Sequence, residues 1–155
     1  MRTWGQIAQE LLDAATGAGV AVAREFIAPG PNFARDCRLI AVVMIRPSVV
    51  PLQREYAGAC AVVPQHTFQV VFGADCVPPV RDDGSPPPAA DVTAWSKAFL
   101  DDAGKIHDAL LDAATSGAIA GSCEGVSIGQ GEMRGPLSGF ASMVIPVTVQ
   151  LLDLE

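Results

Sequence analysis

The run Leu39-Ile40-Ala41-Val42-Val43-Met44-Ile45, bracketed by Arg38 and Arg46, constrains the fold more than any other part of the chain. It is apolar without a break and rich in β-branched side chains, which fits a strand and is far too short to span a bilayer. Alternate residues of a strand point to opposite faces, so an unbroken apolar run loads both faces with side chains that must leave water. Helices can cover one face. Something else has to cover the other, and a neighbouring subunit is the expected cover.

The rest of the chain says what is available for that task. Its 155 residues suit one domain, taken as 1–155, and half of them are apolar against 17% charged. That is enough to bury a sizeable core and is a thin supply of charge for a small surface. The formal net charge is -7, and no Lys/Arg cluster occurs anywhere. Tight binding to phosphate backbones is disfavoured, because Lys and Arg supply most of that affinity by releasing counterions. Cys37, Cys60, Cys76 and Cys123 follow neither a short-spaced zinc pattern nor a disulfide-dense scaffold, and read as reduced thiols packed as small hydrophobes. No apolar signal core follows Met1, so synthesis in the cytoplasm without membrane contact is expected.

Periodicity supplies the elements. Thr3 and Gln6 form a capping box ahead of Trp4, Ile7, Leu11, Leu12 and Ala15 at helical spacing, with Gly17 and Gly19 ending the helix. Val20 to Ile27 suits a short strand before the turn-rich Ala28-Pro29-Gly30-Pro31-Asn32. Ser48 to Pro64, with Pro51 and Gly58, reads as a long excursion from the sheet. In His66 to Phe72, Phe68, Val70 and Phe72 alternate with Thr67, Gln69 and Val71, as in a half-covered strand. A proline-rich connector, Asp82-Asp83-Gly84-Ser85-Pro86-Pro87-Pro88, leads to a helix over Ala89 to Ala114, with Val92, Trp95, Phe99, Ala103, Ile106 and Leu110 on one stripe. Two strands follow, Glu124 to Met133 and Phe140 to Leu151; Pro146 removes a ladder donor from the last and marks it as an edge or a bulge. The expected class is α+β, a mostly antiparallel sheet of about five strands packed against an N-terminal helix and one long central helix.

Catalytic patterns are weak. Gly121-Ser122-Cys123-Glu124-Gly125 resembles a nucleophile elbow, but an elbow needs a strand before it and a helix after it, the reverse of the order expected here. His66 and His107 are the only histidines, and neither sits in a motif with a thiol or carboxylate. Gly129-Gln130-Gly131-Glu132-Met133-Arg134-Gly135 lacks the Lys-Ser/Thr of a phosphate loop, and Asp82-Asp83-Gly84-Ser85 lacks the alternating ligands of a calcium loop. The chain is read as a non-enzyme without cofactor or metal, and a small hydrolase built on Cys123 is the alternative from another class.

Several segments of the second half together resemble one family. They are Phe72-Gly73-Ala74-Asp75-Cys76-Val77-Pro78, the connector Asp82 to Pro87, the long helix through Trp95 and Leu110, and Gly135-Pro136-Leu137-Ser138-Gly139-Phe140 leading to Ile145-Pro146-Val147-Thr148-Val149-Gln150-Leu151. This combination, spanning roughly residues 60 to 152, is similar to the tail terminator proteins of long-tailed bacteriophages, especially those of actinobacteria. The resemblance implies a virion protein that assembles in the host cytoplasm and forms a ring, usually hexameric, on the last tier of the tail tube. Its partners would be further copies of itself, the tail tube protein and the head-side connector, with DNA sliding through the lumen unbound. A neck, head-closure or tail-tube subunit is the alternative within that class. In that picture Arg54, Glu55 and Tyr56 in one loop, and Met133, Arg134, Leu137 and Phe140 around a hairpin tip, are candidate contacts, together with the edge marked by Pro146.

Overall fold

The computed structural model describes residues 3–30, 32–35, 37–51, 62–74, 83–121, 125–137 and 140–150. The elements run α1 (Trp4–Thr16), β1 (Arg24–Ala28), β2 (Leu39–Pro51), β3 (Val62–Ala74), α2 (Ala89–Ser116), β4 (Val126–Ile128), β5 (Glu132–Leu137) and β6 (Phe140–Gln150). The strands form one six-stranded sheet in the order β1-β2-β3-β6-β4, with β5 also on β6. Among the described strands only the β1–β2 pair is parallel. The architecture is the α+β arrangement expected from the sequence.

Helix α1 starts where its capping box places it. The Thr3 hydroxyl accepts from the Gln6 amide at 3.2 Å while the Gln6 side chain accepts from the Thr3 amide at 2.8 Å, so two otherwise orphaned donors are satisfied. Ile7, Ala8, Leu11, Leu12 and Ala15 are its buried stripe. Helix α2 buries Phe99, Ala103, Ile106, Leu110 and Ala114. Its first turns overhang the core: residues 89–94 are exposed, and Trp95 reaches the body by stacking on Phe99, which stacks in turn on Phe72 of β3. Gly117, at φ 78°, takes the left-handed conformation that closes the helix.

Both helices lie on one face of the sheet, and the main core fills the space between. Ile40 and Val42 of β2, Phe68, Val70 and Phe72 of β3, and Ile145, Val147 and Val149 of β6 are its sheet side. A second, smaller cluster covers the opposite face: Leu39 and Ala41 of β2, Val71 of β3 and Val144 of β6, with Phe26, Phe33 and Phe140 packed against them. Leu39 to Val43 are therefore at most 1% exposed within a single chain. The expectation that a neighbouring subunit covers the second face of this run is overturned. The ten-residue return between the parallel strands β1 and β2 brings Phe33 over that face instead, and only Ile45, at 42%, stays open.

Four other expectations change. Residues 48–51 and 62–64 belong to paired strands, so the excursion begins later than the prolines suggested: β2 and β3 stay in register from Arg46↔Thr67 to Pro51↔Val62. Proline is tolerated there because, among the described residues, no outer strand flanks β2 past Val43 or β3 before Gln65. The single strand expected at Glu124 to Met133 is two, β4 and β5, on the same side of β6. Ile128 is opposite Val147 and Glu132 opposite Val144, which leaves one extra residue on the outer side, a bulge.

Pro146 sits at that bulge. Its carbonyl accepts from the Gly129 amide at 2.8 Å, and a residue's N–H and C=O point to the same side of a strand, so its missing donor faces the interruption. A Cβ on Gly129 would lie 2.6 Å from the Pro146 ring. The proline thus marks a bulge, and β6 is an interior strand between β3 and the β4/β5 line; the edge alternative is overturned. Lastly, Cys37 is disulfide-bonded, not a reduced thiol, and its partner lies outside the described residues.

Candidate assembly interface

The strands β2 and β3 are each 13 residues long and outrun their neighbours. β1 pairs with residues 39–43 of β2 and β6 with residues 65–74 of β3. β2 has no described outer neighbour past Val43, and beyond Ser48↔Gln65 the β2–β3 pair continues alone among the described residues as a short two-stranded arm, Val49↔Pro64 to Pro51↔Val62. The register shift between Met44 and Arg46 sits where β2 passes the end of β1, and the extra residue there is the exposed Ile45. Bulges raise local twist, so the β2–β3 pair twists more strongly on its way to the arm. Arg54, Glu55 and Tyr56 lie outside the described residues, between the two strands of this arm.

The other candidate contacts divide. Met133 is 44% exposed, opposite Met143 on the helix side of the sheet. Arg134 is exposed and pairs loosely with Glu132 at 3.4 Å, a surface ion pair of little energetic weight. Leu137 pairs with Phe140 at the hairpin end. Phe140 turns inward: it belongs to the second cluster, the Arg35 guanidinium lies 5.2 Å from its ring centroid, and its ring occupies the space a side chain at Gly73 would need. Pro146 is half-buried against Gly129. Met133 and Arg134 are thus the ones whose described side chains present themselves to a partner.

What sequence reasoning missed is where the remaining apolar surface sits. Ile27 on β1, Met133 on β5, and Leu100 and Leu111 on α2 are all large, apolar and between 39% and 51% exposed. Leu100, Gly104, His107 and Leu111 recur at helical spacing and share one flank of α2. His107 fixes the direction of that flank, because its Nε2 lies 3.1 Å from the Gly129 carbonyl oxygen at the β4/β5 junction. Helical spacing was used to find the buried stripe, and the same spacing would have found this open one.

Groups with chemical potential are dispersed. His66 on β3 is 5% exposed, lies under the Trp4 ring with 5.4 Å between ring centroids, and has no hydrogen-bond partner for Nδ1. Burial pushes its pKa below the ordinary value of 6.5, because the charged form loses solvation. Asp83 is held below the usual carboxylate range by the Ser85 hydroxyl and amide, which both donate to its Oδ1 in a local turn. Among the described residues no three His, Cys, Asp or Glu side chains gather as a metal site, and no helix is long and apolar enough to cross a membrane. Cys123 lies outside them; α2 precedes it and β4 follows it, the order opposite to that of a nucleophile elbow. Set against known proteins, the chain matches no family model and no curated protein.

Proposed function

We propose that this protein is a structural subunit of a long-tailed bacteriophage tail, forming a ring, hexameric by the resemblance, that caps the tail tube, ends its polymerisation and joins it to the head-side connector. The observation that carries the reading is the β2–β3 arm. An isolated two-stranded ribbon is marginally stable in water, so a short ribbon, Val49↔Pro64 to Pro51↔Val62, that extends past the neighbouring strands among the described residues is suited to lie against another molecule. The sequence similarity of the second half to tail terminators supplies the identity of that molecule: another copy of the chain, or the last tier of the tube. The charge of -7 suits a lumen through which DNA slides without adhering. Support does not come from the two-faced burial of β2, which its own chain achieves, nor from β6, which is interior.

Negative-stain microscopy of the purified chain, with and without tail tubes, tests the proposal. Annular particles seated on tube ends, and tubes that stop growing in their presence, are the expected result. A chain that stays monomeric at high concentration and leaves tube growth unchanged would sink it.

A further inference from the structure

We propose that the two outermost described strands of the sheet join head to tail, β1 of one copy pairing antiparallel with β5 of the next, so that the sheet continues from subunit to subunit. This rests on the assembly reading above and names the surface through which it occurs.

Strand direction is the first argument. β1 is parallel to β2, and each of the steps β2 to β3, β3 to β6 and β6 to β5 reverses direction, so β1 and β5 run opposite ways within one copy. A second copy that continues the sheet with the same strand axis places its β1 antiparallel to this β5, the more stable kind of ladder.

Facing is the second argument. Ile27 is beside Val42 and Met133 beside Met143, and both of those neighbours belong to the core under the helices. Ile27 and Met133 therefore point to the same side of a continued sheet. Placing them opposite one another covers two large apolar side chains that a single copy leaves 42% and 44% exposed. Phe26 then stands opposite Arg134 and Ala28 opposite Glu132. Slipping the register by two residues keeps the faces matched but in one direction sets Arg24 directly against Arg134, a like-charge pair, and in the other carries Met133 past Ala28, the end of β1.

The helix layer agrees. α1 packs over β1 and β2, whereas α2 packs over β4 at the other end of the sheet. A copy docked at the β5 edge brings its α1 toward the flank of α2 that carries Leu100 and Leu111. There the backbone at Gly104 has open space around it. Each contact uses two different surfaces, so it is heterologous, and a heterologous contact with the right rotation closes into a ring.

Paired cysteines test this in the full chain. Directly opposed side chains on an antiparallel ladder come close enough for a disulfide or a short thiol crosslinker. The Ile27→Cys, Met133→Cys double variant is expected to give a ladder of covalent oligomers on oxidation, and each single variant only the wild-type background. Crosslinked dimers from a single variant would reveal a two-fold contact and overturn the proposal. Rings that form without any ladder would overturn the edge pairing while leaving the ring reading intact, and a wild-type chain that remains monomeric would overturn both. As a second arm, Ile27→Glu and Met133→Glu should each raise the concentration needed for assembly at least about tenfold. Circular dichroism of the variants should stay as in the wild type, since both side chains are already about two-fifths exposed in a single copy; assembly unchanged by both substitutions overturns the pairing.

Discussion

The two faces of the sheet solve the same problem by different means. One is sealed by two helices over a continuous floor of Ile40, Val42, Phe68, Val70, Phe72, Ile145, Val147 and Val149. The other is sealed only in part, by aromatic side chains from the β1–β2 return and from Phe140, over the four residues Leu39, Ala41, Val71 and Val144. Beyond that patch the second face turns half-buried and polar, with Gln65, Thr67, Gln69 and Thr148. A short loop can therefore do for a few strand residues what a helix does for a whole sheet. The apolar surplus of this chain ends up at the sheet edges and on the outer flanks of the helices, where Trp4, Val92, Leu100 and Leu111 are exposed, not on the second face.

Truncation should show this difference at its largest. Phe72→Ala removes a fully buried ring stacked on Phe99 and should cost about 3–5 kcal/mol in a urea titration. Val71→Ala, one residue away on the other face, should cost about 1.5 kcal/mol, two buried methyl groups. Equal losses would mean that the second cluster is as tightly packed as the first.

The disulfide gives the next effect. Cys37 lies on the return that covers the second face, just before β2. Cys37→Ser, or full reduction of the wild type, should lower stability by about 2–4 kcal/mol, with the melting temperature as the readout. No change on reduction would show that the aromatic cover holds without the crosslink.

The smallest effect concerns the helix-covered face at the arm's root. His66 is buried in its neutral form with its pKa below 6.5, so the unfolded chain binds the proton first as pH falls. The stability it protects is complete above its unfolded pKa and is lost as pH drops below 6.5 through the folded value, with a slope no steeper than about 1.4 kcal/mol per pH unit. His66→Phe should flatten that part of the profile, and loosening of Trp4 should track it as a change in tryptophan fluorescence. An unchanged slope in the variant would assign the acid sensitivity to other groups.

Legibility in the sequence followed the range of the interaction that decides each feature. The capping box at Thr3 and Gln6, the stripe from Phe99 to Leu110, and the alternation from Phe68 to Phe72 depend on neighbours a few residues away, and all stand where periodicity placed them. Pro146 shows the boundary of that approach. Its missing donor told that the ladder is interrupted, but whether by an edge or a bulge depends on Gly129 and the strand around it. The cover over Leu39 and Ala41 was illegible for a similar reason: nothing local to Phe33 announces that it folds back over β2. In the candidate interface, exposed Met133 was readable from a strand pattern at a hairpin. Its counterpart Ile27 was hidden, because a β1 edge exists only once β1 has paired with β2 and not elsewhere.

The position of β6 bears on how the molecule is made. It is the last of the described strands in chain order, yet it occupies the interior of the sheet, holding β3 on one side and the β4/β5 line on the other. During synthesis the open flank of β3 must wait for residues 140–150, some 70 positions downstream. Contacts of such sequence separation form slowly, and an unpaired apolar strand is exposed to misassociation in the interval. A growing chain can build α1 and the β2–β3 pair early, but it closes its core only once residues 140–150 have left the ribosome.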